Sequence, residues 1–524
     1  MSASDILRGL REHLADRARV PLELIIAILI ATGLRLYQLD AESIWLDEAV
    51  SITMAEESWW YLLVEFPGQD PHPPLHYLLL KAWVTIAGNS EFSVRLLSAI
   101  FAIATVPLLY YLGRSLIDRF TGGVAALFFA IAPFQIWYAQ EARMYSLFVM
   151  LTVASFLSLV LLTEHYSRNR AALYIIVTSL LVYSHVYALF IVFTQAIFIG
   201  WRWLRFQDAG EEPLSLTFQQ GIRAFVGVGI VSSPWLLIFF LRLGESTDRI
   251  GWIDTPGTEV FTQIFTLFSF GYTAEGMYHL SAPPSILLVV PALCILLAIG
   301  WYGLGRSGQF AEKWGYTMTS FPREQAALQL LLLWLALPIA LSYVLSHLIT
   351  PLLILRPMTA MAPAFLLLLA IGARVLASLS IPYRSVVPYV VIIILLSGML
   401  IPLPSFYADD YKDQWRDAAG FVDDTAEPGD VVLISHPYND YPFLYYFDDE
   451  EVAVVGVWPD DSSDAFAEDL DDASQVYVVL AHIWGEEREQ LLHTVDHSIG
   501  DHTGAEHREY GGIHVYRYPF VDSD

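Results

Sequence analysis

Long apolar stretches, nearly free of charge, recur along the first 403 residues, among them 22–34, 123–134, 222–241, 285–300, 326–346, 357–373 and 385–403. Most approach the roughly 20 residues that a helix needs to cross a hydrocarbon core about 30 Å thick. Apolar residues make up 55% of the 524, more than a water-facing surface accommodates. The expected fold class is therefore a polytopic α-helical membrane protein with about eleven transmembrane helices, in a range of 11–13, followed by a small C-terminal α/β domain. The first stretch follows Arg8, Arg11, Arg17 and Arg19 and lacks a small-residue cleavage site. It reads as a retained anchor, not a signal peptide.

Lys and Arg mark the cytoplasmic side of short loops. The later basic clusters are Arg114/Arg119, Arg168/Arg170, Arg202/Arg205/Arg223, Arg306/Lys313/Arg323 and Arg374/Arg384. Keeping all of them inside with the N-terminal arginines requires two crossings between consecutive clusters. Helices are then expected near 22–38, 93–113, 121–138, 144–163, 171–184, 186–203, 222–241, 285–304, 326–347, 357–376 and 385–403. The N-terminus is expected in the cytoplasm and the C-terminal domain outside a multi-pass cell membrane protein. Residues 75–87, with Lys81 in their middle, suit an interfacial or re-entrant helix, because a further crossing there would reverse every later loop. The domains are accordingly 1–403 in the membrane, with external loops at 39–92 and 242–284, and 404–524 as a soluble α/β tail. Short β-rich runs in the tail alternate with helical patterns.

Of the net charge of −27, the tail holds most, with 29 Asp+Glu against 5 Lys+Arg, or −24. Such a surface repels nucleic acid and anionic lipid, and suits high salt, hence a halophilic, archaeal cell-surface setting. Cys294 is the only cysteine, so no intramolecular disulfide exists, and its place in an apolar helix reads as core.

Ionisable groups near a bilayer are costly and tend to serve a pathway or a reaction. Five predicted external spots gather them. WLDEAVS carries Asp47 and Glu48, and QDPHPPLHY carries Asp70 and His72. AQEARMYS carries Glu141, Arg143 and Tyr145, VYSHVYALF carries His185, and TPLLILRPM carries Arg356. Each has a bland reading as well: a chance acidic pair, a helix stop, a helix-end histidine, an arginine reaching lipid headgroups. Their location on one face lifts them above it. Asp70 and His72 also have ligand-like spacing that His185 could join, which keeps a divalent metal open beside a hydrogen-bonded turn.

The order WLDEA, HPPLHYLLLKAW, EFSVRLLSAIFAIATVPLLYYLGRSL and AQEARMYSLF resembles the GT-C glycosyltransferases, in particular the branch of protein O-mannosyltransferases and aminoarabinose transferases. The segments YSHVYALF, ILRP and YKDQWRDAAGFVDDTAEPGDVVLI also fit. The ILRPMTAMAP stretch lacks the aromatic that often follows this arginine, and no WWDxG motif is present, which argues against an oligosaccharyltransferase. The resemblance implies transfer of a sugar from a polyprenyl (dolichyl) phosphate to a lipid-linked glycan or protein acceptor at the outer membrane face.

Such chemistry needs a carboxylate base for the acceptor hydroxyl, expected from Asp47, with Glu48 or Asp70 orienting the acceptor or substituting. It also needs guanidinium groups for the departing phosphate, expected from Arg143 and Arg356. Asp70, His72, Glu141, Tyr145 and His185 complete the expected substrate contacts. A direct displacement inverts the anomeric centre. Neither GxGxxG after a strand nor a P-loop occurs, consistent with a lipid-linked donor. The alternatives are a transporter or flippase for a lipid-linked substrate, which should carry internal repeats, and a catalytically silent surface protein.

Overall fold

The computed structural model describes residues 20–66, 72–209, 216–241, 253–271, 289–298, 321–378, 383, 385–461, 470, 473–499 and 505–519. The chain forms two compact units. One comprises 1–37, 59–78 and 96–407; the other comprises 38–58, 79–95 and 408–524.

The first unit is helical. Among the described residues, five helices are long and apolar enough to cross a membrane: Glu91–Leu116, Tyr145–Glu164, Phe218–Leu241, Glu324–Leu348 and Val387–Ala408. A sixth candidate is a bent pair, Arg119–Ile131 and Pro133–Ala139, whose axes differ by 59°. Shorter apolar helices include Leu75–Ala87, Val289–Ala298 and Ala362–Ala377. Helix Tyr145–Glu164 is buried on most of its circumference, and its apolar residues are accordingly spread all round it. Side-chain hydrogen bonds join it to its neighbours. Ser155 bonds Thr178 at 2.8 Å, Gln195 Nε2 donates to Ser155 at 2.9 Å, and Tyr174 OH donates to Gln195 Oε1 at 2.8 Å. In an apolar surrounding such bonds hold helices together where hydrophobic burial gives no preference.

Glycine sets two close approaches. A Cβ at Gly122 would lie 2.4 Å from the Tyr110 carbonyl oxygen, and one at Gly372 would lie 2.3 Å from that of Cys294. Cys294 is thus a buried residue at a tight helix crossing.

The bend at Pro133 is the main irregularity. Proline has no N–H and excludes the preceding turn, so carbonyls at the end of Arg119–Ile131 lose their helical partners. Arg35, fully buried, replaces them: Nη1 donates to Ala130 O at 2.8 Å and Nη2 to Phe129 O at 3.0 Å. Gln140, at the far end of the short segment, donates to Tyr37 O at 2.9 Å.

The second unit is built on a five-stranded sheet in the order β2-β1-β3-β5-β4. β1 (Val431–Ser435) pairs in parallel with β2 (Ala453–Val457) and β3 (Gln475–Leu480). β5 (Ile513–Pro519) runs antiparallel to β3 and to β4 (Glu506–Tyr510). β1 and β3 are almost wholly buried, as central strands covered on both faces should be. Helix Trp415–Thr425 covers one face with Trp415, Ala418, Ala419, Phe421 and Val422. Helix Gly485–Ile499 covers the other with Leu491 and Val495.

Replacing Arg35 with Leu should strand the two carbonyls and lower stability by about 2–4 kcal/mol. Thermal unfolding of the purified protein would read this; an unchanged transition would show that the bend does not need the guanidinium.

Candidate active site

The bend places a short polar loop between Pro133–Ala139 and Tyr145–Glu164, and this loop holds Glu141 and Arg143. Both are buried, at 2% and 6% exposure. The loop is pinned at several points. Trp137 Nε1 donates to the Glu141 carboxylate. His76 Nε2 lies 3.3 Å from Ala142 O, which can only accept, so that nitrogen carries the proton. Ser98 Oγ donates to Arg143 O at 3.2 Å, and Ser146 Oγ to Tyr138 O at 2.8 Å.

His185 packs into the same region. Its ring stacks on Phe148 at 4.8 Å and lies 5.9 Å from Tyr145 and 6.1 Å from His72. The Tyr187 N–H donates to His185 Nδ1 at 3.1 Å, which leaves Nε2 to carry the proton. Burial, with His72 and the Arg143 charge nearby, holds its pKa well below the ordinary 6.5, so the ring is a neutral donor at pH 7. Arg356 opens the 3-10 turn Arg356–Ala360, which packs against helix Tyr145–Glu164. Gln135 Nε2 ties that turn to the bent segment through Thr359 O at 3.0 Å and Thr359 Oγ1 at 2.9 Å.

The first unit therefore gathers His72, Glu141, Arg143, Tyr145 and His185, and ties the Arg356 turn to the same two helices. Asp70 lies outside the described residues.

Asp47 and Glu48 belong to the second unit, in the first turn of helix Leu46–Glu56. Carboxylates are favoured there by the helix dipole. Their surroundings differ. Glu48 is fully buried and gripped at both oxygens: Arg95 Nε reaches Oε1 at 2.8 Å and Arg95 Nη2 reaches Oε2 at 2.7 Å. Lys412 Nζ adds a third contact at 3.1 Å. The same guanidinium donates to Glu42 O at 2.7 Å and Ser43 O at 2.8 Å, so Arg95 fixes the approach to the helix as well as its first turn. Asp47 is half-buried. Arg416 continues the polar network, with Nε donating to Glu91 Oε1 at 3.1 Å and Nη2 to Asp40 O at 3.0 Å. The Tyr446 hydroxyl accepts from Ile44 N–H at 2.7 Å.

Sequence reasoning did not single out Arg95, Lys412, His76, Trp137 or Gln135. Arg95 offered a signal, as a lone charge in the apolar run EFSVRLLSAIF. Its partner lies 47 residues away, and nothing local specifies it. Among the described residues, no group of three or more His, Cys, Asp or Glu could hold a metal ion.

Comparison with known proteins points the same way. A family model described as dolichyl-phosphate-mannose-protein mannosyltransferase matches residues 71–237. Among solved structures, ArnT from Cupriavidus metallidurans in the apo state aligns with TM-score 0.57 and 10% identity over 94% of this chain and 97% of that one. The fold is that of the GT-C glycosyltransferases. The same ArnT bound to undecaprenyl phosphate aligns at TM-score 0.53 and 12% identity, over 95% and 98%. The oligosaccharyltransferase AglB from Archaeoglobus fulgidus, in complex with an inhibitory peptide and a dolichol-phosphate, aligns at TM-score 0.52 and 11% identity, over 96% and 74%. A search of curated proteins gives no match. Family match and GT-C fold together support a membrane glycosyltransferase, in keeping with the resemblance read from the sequence.

Arg95→Met should leave Glu48 buried with one remaining cation, at a cost of about 3–5 kcal/mol in unfolding free energy. Arg95→Lys should recover little, because an ammonium cannot bridge both carboxylate oxygens. Equal stability of Arg95→Lys and the parent in a denaturation series would refute the two-pronged grip.

Proposed function

We propose that this protein transfers a sugar, mannose or a related hexose, from a polyprenyl (dolichyl) phosphate to a glycan or protein acceptor at the outer face of the membrane, with inversion. In this reading the chain crosses the membrane eleven times, the N-terminus lies in the cytoplasm, and the acidic tail lies outside.

The observation behind the assignment of roles is the way Glu48 is held beside Asp47 in the first turn of helix Leu46–Glu56. Glu48 is held by Arg95 and Lys412 at 2.7–3.1 Å, so both of its oxygens are engaged by cations. It acts as a positioning residue. Asp47, one residue earlier on the helix so fixed, is the general base. Its carboxylate takes the proton of the acceptor hydroxyl as that oxygen bonds to the anomeric carbon. The bond from that carbon to the phosphate oxygen breaks, its electron pair leaves with the phosphate, and polyprenyl phosphate departs as a monoester. No external acid is needed, because the leaving oxygen is already a weakly basic phosphate.

The charge that grows on the phosphate calls for guanidinium groups at headgroup depth. Arg143, buried and pinned through its backbone by Ser98, is the first. Arg356 is the second. Neutral His185, with its protonated Nε2, offers a hydrogen bond that does not depend on pH near neutrality, and His72 and Tyr145 line the same wall. Glu141 is held by Trp137. Asp70 orients the acceptor.

Asp47→Asn should lower kcat for sugar transfer by about 10²–10⁴-fold, while binding of the lipid-phosphate donor stays close to that of the parent. Arg143→Gln should instead lose both donor affinity and rate. A radiolabelled transfer assay with dolichyl-phosphate hexoses measures both quantities. Near-normal turnover by Asp47→Asn would remove that carboxylate from the mechanism.

A further inference from the structure

The three parallel strands of the soluble sheet all end in aromatic or imidazole side chains at one edge. β1 runs into His436 and Tyr438, β2 into Trp458, and β3 into His482 and Trp484. Tyr438, Trp458 and Trp484 are exposed by 39%, 46% and 69%, large values for rings of this size. On the β1 and β2 side His436, Tyr438 and Trp458 form one cluster. His436 stacks on Tyr438 at 5.3 Å, and Trp458 lies 5.7 Å from His436 and 6.1 Å from Tyr438. On the β3 side His482 lies 6.3 Å from Trp484, and Asp413 holds the His482 ring at 3.0 Å. Gly456 makes the first group possible, because a Cβ there would sit 2.7 Å from Pro437 Cα and push the turn away from β2.

This edge is also where the strand order reverses. The chain passes from β1 to β2 on one side and returns to β3 on the other, so the β1–β3 gap is a topological switch point, the usual ligand crevice of an open α/β sheet. Its floor is polar. Ser435 Oγ accepts from the Ala481 N–H at 3.0 Å, and wholly buried Asn439 donates to Ser435 O at 2.8 Å. Asn439 Oδ1 is buried and makes no hydrogen bond within the described residues.

Flat exposed rings beside hydrogen-bonding groups match the two faces of a sugar: the C–H face packs on the ring, and the hydroxyls reach the polar rim. Charge narrows the class. With 29 acids against 5 bases in the tail, sulfated or uronate chains, nucleic acid and anionic lipid are all repelled. Position narrows it further. The segment that starts at Tyr438 continues into helix Asp440–Leu444, which packs against Leu46–Glu56, the helix that carries Asp47.

We propose that this edge binds a neutral hexose oligosaccharide and so holds the acceptor glycan for transfer. Its role in catalysis rests on the function proposed above; the binding itself does not.

Calorimetric titration of the full-length protein in nanodiscs, free of sugar-headed detergent, tests this. The probes are neutral manno- and gluco-oligosaccharides, a sulfated oligosaccharide and an unglycosylated acceptor peptide. The expected result is saturable binding of a neutral oligosaccharide and none of the sulfated one. Trp458→Ala and Tyr438→Ala should weaken that binding about tenfold, Trp458→Phe should restore most of it, and Asp47→Asn should leave it intact. Absence of oligosaccharide binding overturns the proposal. So does binding indifferent to Trp458, or a Trp458-dependent association with the peptide or with a second copy in its place. A protein that transfers sugar to a simple glycoside yet binds no oligosaccharide refutes this inference alone. One that binds the oligosaccharide yet transfers nothing refutes the proposed function alone.

Discussion

A helix that breaks inside an apolar bundle must have its freed carbonyls paired, because no water is at hand to do so. Here the break falls at Pro133, and one buried guanidinium, Arg35, takes up the carbonyls of Phe129 and Ala130. The path of the chain beyond Pro133 depends on that pairing. The short helix Pro133–Ala139 turns through 59°, and the chain then forms a polar loop where a straight helix would have continued into apolar surroundings. Glu141 and Arg143 sit in that loop, braced by Trp137, His76 and Ser98. Gln135, on the bent segment, brings in the turn that opens with Arg356. A structural arginine thus makes room for the two arginines proposed to meet phosphate.

The second unit solves a related problem with an ion pair. A buried carboxylate is costly unless every lone pair is used, and Glu48 has both oxygens engaged by Arg95 and a further bond from Lys412. The sequence segments involved are far apart: 38–58, 79–95 and the start of the tail share one compact unit. Segments 38–58 and 79–95 therefore belong to the same unit as the sheet, and Lys412, Arg416 and Tyr446 contribute to their geometry. In the proposed mechanism Glu48 positions the helix turn from which Asp47 acts.

Much of this was legible in the sequence, for identifiable reasons. Apolar stretches with polar ends announce helices wherever they occur, and helices lie at all eleven expected positions, the one near 285–304 described over 289–298. The bend was not read, since 121–138 looks like one apolar run and Pro133 alone does not say whether a helix kinks or stops. Four of the five strands fall on β-rich runs. The fifth, Glu506–Tyr510, is a charged edge strand with almost every residue exposed, so it lacks the apolar signal that marks a strand. The candidate residues stood out because charge near a bilayer is rare. Their partners did not: the Glu48–Arg95 and Gln135–Thr359 contacts are set by tertiary packing across 47 and 224 residues.

The proposed chemistry reduces to a phosphate that leaves as a hydroxyl attacks. The most direct measurement follows both products in one experiment, with purified protein, a polyprenyl-phosphate hexose of known anomeric configuration and an acceptor. One polyprenyl phosphate should appear for every sugar transferred, and the new linkage, read by NMR coupling constants, should have the opposite configuration. Movement of the intact lipid-linked sugar across the bilayer without cleavage, or a product that retains the donor configuration, would contradict it.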